Sequence, residues 1–149
     1  MAGLLAIGDK LLVETKLPVS FDSHINVKQW YPKNYWQVKH HPCLPTEASS
    51  RLALLCGYLW SDGSVTKKYL GFGNTRVEFI DEVASLIKEL FGLEPHLYRM
   101  NSKTRIVKID SSELTHYFHA SLGFRKTAIP DFLWHVDRDI RKAFLQGVV

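Results

Sequence analysis

The sequence predicts an α+β domain: a four-stranded antiparallel sheet with helices on one face, an irregular arm before it and an extra helix after it. Two observations carry this. From Thr46 onward the hydrophobic spacing switches between helical and alternating periods in the order α-β-β-α-β-β-α, followed by one more helix. Within each pair of β segments only a short polar turn intervenes, which makes each pair an antiparallel hairpin. A chain of 149 residues with 46% hydrophobic content suits one compact domain with a real core, and not two large ones.

Residues 1–45 form the arm. Leu11-Leu12-Val13 reads as a short strand after the Gly8-Asp9 turn, and Trp30, Tyr31, Tyr35 and Trp36 lie among prolines with no clean period. The domain proper spans 46–136. Thr46 follows Pro45 and caps the first helix, which runs through Leu52, Leu55, Cys56 and Leu59 to Asp62-Gly63. A short hairpin follows, with Lys67-Lys68 at its tip. Thr75 to Glu78 reads as a capping box opening a second helix, with Phe79, Val83, Leu86, Ile87 and Leu90 on one face and Gly92 beyond its end. His96–Met100 and Thr104–Ile109 flank the turn Asn101-Ser102-Lys103 as a second hairpin. Asp110 to Glu113 is a second capping box, and its helix buries Leu114, Tyr117, Phe118 and Leu122 before Gly123. Asp137 caps a last helix over 137–149.

The first helix has an unusual surface. Ala53, Gly57 and Ser61 recur every fourth residue and form one stripe of small side chains, which lets another backbone come close. Leucines occupy the other faces, so the helix is buried on more than one side. The last helix repeats the pattern with Ala143 and Gly147, and Phe144-Leu145 stand where the first has Leu54-Leu55. Asp62 closes the first helix at its negative end, where the dipole disfavours a carboxylate. Two readings of it stand side by side: an ordinary Asp-Gly turn, or a charge held by a divalent cation.

Composition narrows the rest. Net charge is +4, a modest excess that suits a polyanion without requiring one. Cys43 and Cys56 share no metal spacing, and no disulfide framework is implied. Met1–Ile7 is too short for a membrane span and lacks a basic flank, so a soluble, intracellular protein is expected. His116 and His119 lie three apart on a helix, without further ligands, and read as surface residues.

The segment Leu54-Leu55-Cys56-Gly57-Tyr58-Leu59-Trp60-Ser61-Asp62-Gly63-Ser64 resembles the LAGLIDADG motif of homing endonucleases and inteins. Lys126-Thr127-Ala128-Ile129-Pro130 resembles the Lys-x-x-Ile-Pro segment of intein endonuclease domains, and the αββαββα order matches the family lobe. The likeness covers roughly residues 46–149. It implies that two such helices pack through their small residues (Ala53, Gly57 and Ser61 against Ala143 and Gly147). It implies that Asp62 binds Mg²⁺ at the scissile phosphate, with Lys126 nearby, in a site-specific endonuclease acting on double-stranded DNA. The sheet's open face then lies along the duplex, with Lys67, Lys68, Tyr98, Lys103, Arg105 and Lys108 as candidate contacts. Which alternate set of strand residues faces outward is left open, since a one-residue slip reverses it.

The second motif reads Phe144-Leu145-Gln146-Gly147-Val148-Val149 and carries no acid, so the chain is expected to be a fragment of a larger enzyme. One chain supplies one carboxylate. Cleavage of both strands calls for a homodimer through the first helix, which the last helix would block by packing there itself. A degenerate module that binds DNA or RNA without cutting is the alternative. Gly8 to Val13 followed by Leu17-Pro18 resembles the stretch joining an intein's splicing part to its endonuclease part. The splicing residues are absent, so self-splicing is not expected.

Overall fold

A computed structural model describes residues 21–148. The predicted strand at Leu11–Val13 and the joining stretch Gly8 to Pro18 lie outside them. The described elements run α1 (Ser50–Ser61), β1 (Gly63–Val65), β2 (Tyr69–Asn74), α2 (Val77–Phe91), β3 (His96–Arg99), β4 (Arg105–Asp110), α3 (Ser112–His116, continued by a π-helical turn over Tyr117–Ser121) and α4 (Arg138–Gly147). This is the αββαββα lobe with a further C-terminal helix. The sheet is antiparallel throughout, in the order β1-β2-β4-β3.

Helix starts differ from the expected residues in three places, each for a local reason. The α1 cap is Ser49, whose Oγ accepts the Leu52 N–H at 3.1 Å. Thr46 lies in a bend instead, its carbonyl accepting the Ile25 N–H at 2.7 Å beside the His24–Glu47 bridge. Thr75 caps nothing, and the α2 cap position falls to Arg76 without a side-chain bond. Asn74 has already turned the chain there by accepting the Arg76 N–H at 2.9 Å, and the Arg76 guanidinium lies 4.3 Å over the Phe79 ring. At α3 the cap is Ser111, because Asp110 is still paired with Tyr69 at the end of β4. Asp137 caps α4 as read, accepting the Ile140 N–H at 3.0 Å. Replacing the α1 cap, Ser49→Ala, should lower stability by about 1 kcal/mol, read as a shifted midpoint with unchanged slope in urea unfolding.

Side-chain oxygens also set the two hairpin turns. Thr66 Oγ1 accepts the Lys68 and Tyr69 N–H groups, both at 3.1 Å, and the buried Thr115 hydroxyl ties the Lys67 carbonyl to α3 at 3.1 Å. Asn101 Oδ1 accepts from Lys103 and Thr104 at 2.9 and 2.7 Å, an Asx-type turn. The core lies between the sheet and the helices. Leu70, Phe72, Val107 and Ile109 point into it from the strands and meet Leu55, Leu59, Val83, Leu86, Leu114 and Phe118.

α1 and α4 meet backbone to backbone. A Cβ placed on Gly57 would lie 2.2 Å from the Phe144 carbonyl oxygen and 2.8 Å from Gly147 Cα. One on Gly147 would lie 2.3 Å from the Leu54 carbonyl oxygen. The two small stripes therefore face each other within one chain. Ser61 adds a 3.4 Å hydrogen bond from its hydroxyl to the Gly147 carbonyl, and Trp60 packs edge-on against Phe144. The Gly57 surface of α1 is thus covered by the chain's own last helix, so a homodimer through that face would have to displace α4.

Candidate nucleic-acid interface

Strand register decides which side chains face away from the helices. Ser64 pairs with Gly71, Ile106 with Tyr98, and Lys108 with both Gly71 and His96. Since partners share a face, Ser64, Tyr69, Gly71, Gly73, His96, Tyr98, Ile106 and Lys108 form the open side of the sheet. A groove of about 350 Å³ runs along it, with Asp62 at one end. Its floor is the β2 backbone. A Cβ on Gly73 would meet nothing nearer than 3.6 Å, so glycine there leaves the groove shallow without relieving any clash.

The candidate contacts divide by this register. Tyr98 and Lys108 belong to the open face. Arg105 does not: it shares a side with Leu97 and Arg99, and these line a neighbouring hollow with Asp81 of α2, which Tyr98 and Ile106 also border. Odd and even positions of one strand cannot face the same way, which sets Arg105 and Lys108 apart. Lys103 is exposed on the second turn, and Lys67 and Lys68 on the first. Lys108 is the most constrained of these cations. Its Nζ donates to Asp110 Oδ1 at 2.9 Å and sits 4.7 Å over the Tyr69 ring. The Asp110 hydrogen bond holds its ammonium above the ordinary lysine range.

Asp62 is the C-cap of α1, its own N–H still bonded to the Tyr58 carbonyl at 3.1 Å. Asn74 Nδ2 donates to its Oδ2 at 3.0 Å and orients the carboxylate across the first hairpin. Sequence reasoning missed Asn74, because only the β1–β2 register brings the end of β2 back to the end of α1. Lys126 reaches the same helix end from the loop before Pro130. Its Nζ donates to the carbonyls of Leu59, Trp60 and Ser61 at 3.2, 2.7 and 2.8 Å. Three unpaired carbonyls at the negative pole of a helix are a natural seat for an ammonium. Burial pulls the Lys126 pKa below the ordinary value, and the Asp62 charge opposes that pull. Trp60 Nε1 fastens the same loop by donating to the Ala128 carbonyl at 3.1 Å.

The site thus brings Asp62 and Lys126 to one end of α1, with Lys126 committed to backbone. Among the described residues no three His, Cys, Asp or Glu side chains gather around one point. His116 stacks on Trp30, and His119 Nδ1 lies 3.2 Å from the Phe124 carbonyl. Asp62 has the chemistry of a cation ligand, since Mg²⁺ is commonly held by one or two carboxylates with phosphates and water completing its shell. The exposed carboxylate has one oxygen engaged by Asn74 and the other without a protein partner among the described residues. No helix among the described residues is long and apolar enough to cross a membrane.

The fold and this site define a class: an α+β lobe whose acid-ended helix packs through glycine against a second helix, beside an open groove on the sheet. The chain belongs to the LAGLIDADG-like domain family, whose profile matches residues 49–123. Members of that family generally use divalent metals, and the family as a whole implies DNA binding. A glutamine–fructose-6-phosphate aminotransferase (isomerizing) of Methanocaldococcus jannaschii is 26% identical over 110 residues, covering 70% of this chain. The match spans only 10% of that relative's length.

Proposed function

We propose that the chain is the DNA-binding lobe of a site-specific, Mg²⁺-dependent homing endonuclease of the kind that inteins carry. In this reading residues 46–136 are the lobe and α4 is the second helix of the motif pair. The observation that carries it is Asp62, an oriented and exposed carboxylate at the mouth of a groove on the open sheet face. A similarity confined to a tenth of a long aminotransferase fits a mobile element seated inside a host protein.

A duplex in the groove would pass over the β2 backbone at Gly71 and Gly73, with Tyr98 and Lys108 against it from β3 and β4 respectively, and Lys67, Lys68 and Lys103 reaching phosphates from the turns. Asp62 would hold the Mg²⁺, which when bound neutralises charge developing on the scissile phosphate. Asn74 keeps the carboxylate aimed. Lys126 sets the electrostatics at that point, since its ammonium lies close enough to couple to Asp62. One Asp62 addresses one strand, so a nick is the product expected of this chain.

The second reading, a module that binds without cutting, is favoured by two observations. β1 is only three residues long, and the Lys126 ammonium is spent on helix carbonyls. Gel shifts with duplex libraries separate this from no binding at all, and nicking of supercoiled DNA with and without Mg²⁺ separates it from the nuclease. The double variant Tyr98→Ala/Lys108→Ala should weaken duplex binding by roughly 10-fold or more and flatten its salt dependence. Unchanged affinity in that variant would remove the sheet face from the reading.

A further inference from the structure

The part of the arm from Lys28 to His41 is unlike the rest of the surface. It holds three lysines, two histidines, two tryptophans and two tyrosines, and no acidic residue. It is pinned at both ends. The Lys28 N–H donates to Ser121 Oγ at 2.9 Å, and the Cys43 N–H to the Phe91 carbonyl at 2.9 Å. Between these anchors the chain folds back through a 3₁₀ turn at Tyr35–Gln37. The rings are arranged in stacks. Trp30 stacks on His116 at 5.4 Å, Tyr35 on His41 at 4.0 Å, and Tyr31 and Trp36 stand edge-on to Tyr35 at 4.9 and 5.2 Å.

A cavity of about 300 Å³ opens between them, lined by Lys28, Trp30, Tyr31, Tyr35, Glu113 and His116. Trp36 stands outside it, 91% exposed, and Tyr31 is 60% exposed. Large rings left in water beside lysines, around a recess with one carboxylate, are poorly explained as packing. Nothing in the core rests on Trp36. The combination matches what single-stranded nucleic acid offers: flat bases to stack, base amino groups to donate to a carboxylate, and phosphates to meet lysine.

We propose that this arm is a stacking site for an unpaired nucleotide of single-stranded DNA. Trp36 and Tyr31 hold a base at the mouth of the recess, Glu113, whose Oε2 lies 2.9 Å from His41 Nδ1, accepts from its edge through Oε1, and Lys28, Lys33 and Lys39 take the adjoining phosphates. The site is distinct from the sheet groove. The arm packs beside Asp110–Glu113, and Asp110 pairs with Tyr69 at the start of β2, whereas Asp62 adjoins Asn74 at its end. The proposal deepens the DNA-binding reading by giving the domain a second contact for strand that is not paired, at the opposite end of the sheet from the carboxylate.

The test is fluorescence anisotropy with a short fluorescein-labelled single strand and, separately, its duplex, on the intact chain. Wild type should bind the single strand. Trp36→Ala and Tyr31→Ala should each lose roughly 5-fold to 100-fold in that affinity. Trp36 carries no core contact, so its variant should keep the wild-type circular dichroism. The Tyr98→Ala/Lys108→Ala variant should bind the single strand normally. If Trp36→Ala and Tyr31→Ala both bind it as wild type does, the proposal falls, and duplex binding that is lost only in the sheet-face variant would leave the functional reading standing. Single-strand binding that depends on Trp36 in a chain with no duplex affinity would uphold the arm and sink that reading. Failure of the wild type to bind the single strand overturns the proposal outright.

Discussion

Gly57→Val should disrupt the contact between α1 and α4 and lower stability by at least about 3 kcal/mol, near the top of the range for overpacked sites. The substituted carbon would stand 2.2 Å from the Phe144 carbonyl oxygen and 2.8 Å from Gly147 Cα. Both are backbone atoms, so no rotamer change can relieve the clash, and the helices must separate or shift. Gly57→Ala is the sharper test. In an isolated helix it would gain about 1 kcal/mol, because glycine is a poor helix former. Here it should lose stability despite that gain, with the melting temperature falling by several degrees. Gly73→Ala is the control. It adds the same methyl where the nearest atom is 3.6 Å away, and it should stay within about 0.5 kcal/mol of wild type. Thermal unfolding followed by circular dichroism reads all three. A Gly57→Ala variant as stable as Gly73→Ala would show that the helices are not in tight contact.

The second large effect concerns Asp62→Asn. The change is isosteric at an exposed C-cap, and its amide oxygen can still accept from Asn74 Nδ2. The fold should survive and gain slightly, since a negative charge at the end of a helix opposes the dipole. Any Mg²⁺-dependent nicking should fall by roughly 100-fold or more, the scale seen when a group that stabilises transition-state charge is removed. Duplex affinity should remain within about 2-fold, because Tyr98, Lys108 and the turn lysines are untouched. Equal nicking rates for the two proteins would detach Asp62 from the chemistry, while joint loss of nicking and binding would make it a structural residue of the groove.

How far these sites could be read in advance followed the range of the interactions. The order of elements was legible because it rests on periodicity within each segment. So was the pairing of small stripes, since Gly57 and Gly147 each sit in a local pattern that needs a close neighbour. Helix caps were legible only to within a few residues. Thr46, Ser49 and Ser50 all offer a hydroxyl, and the arm segment that bonds Thr46 is more than twenty residues away at Ile25. The facing of Arg105 against Lys108 needed the strand register, which no single strand reports. Lys126 was found by its motif, but its three carbonyl acceptors are a tertiary fact, as is Asn74. The arm's rings have no period, and their stacking on His41 and His116 emerges only when α3 is in place.

The glycines of β2 have one more consequence. At Gly71 and Gly73, where β2 puts no side chain on the open face, the depth to which a rod-shaped partner can settle is set by main chain. Discrimination between partners must then come from what borders that smooth stretch: Tyr69 at the start of β2, and Lys108 and Tyr98 standing like a kerb along β4 and β3. Enlarging Gly71 or Gly73 would act as a speed bump, lifting every passenger equally whatever its letters spell.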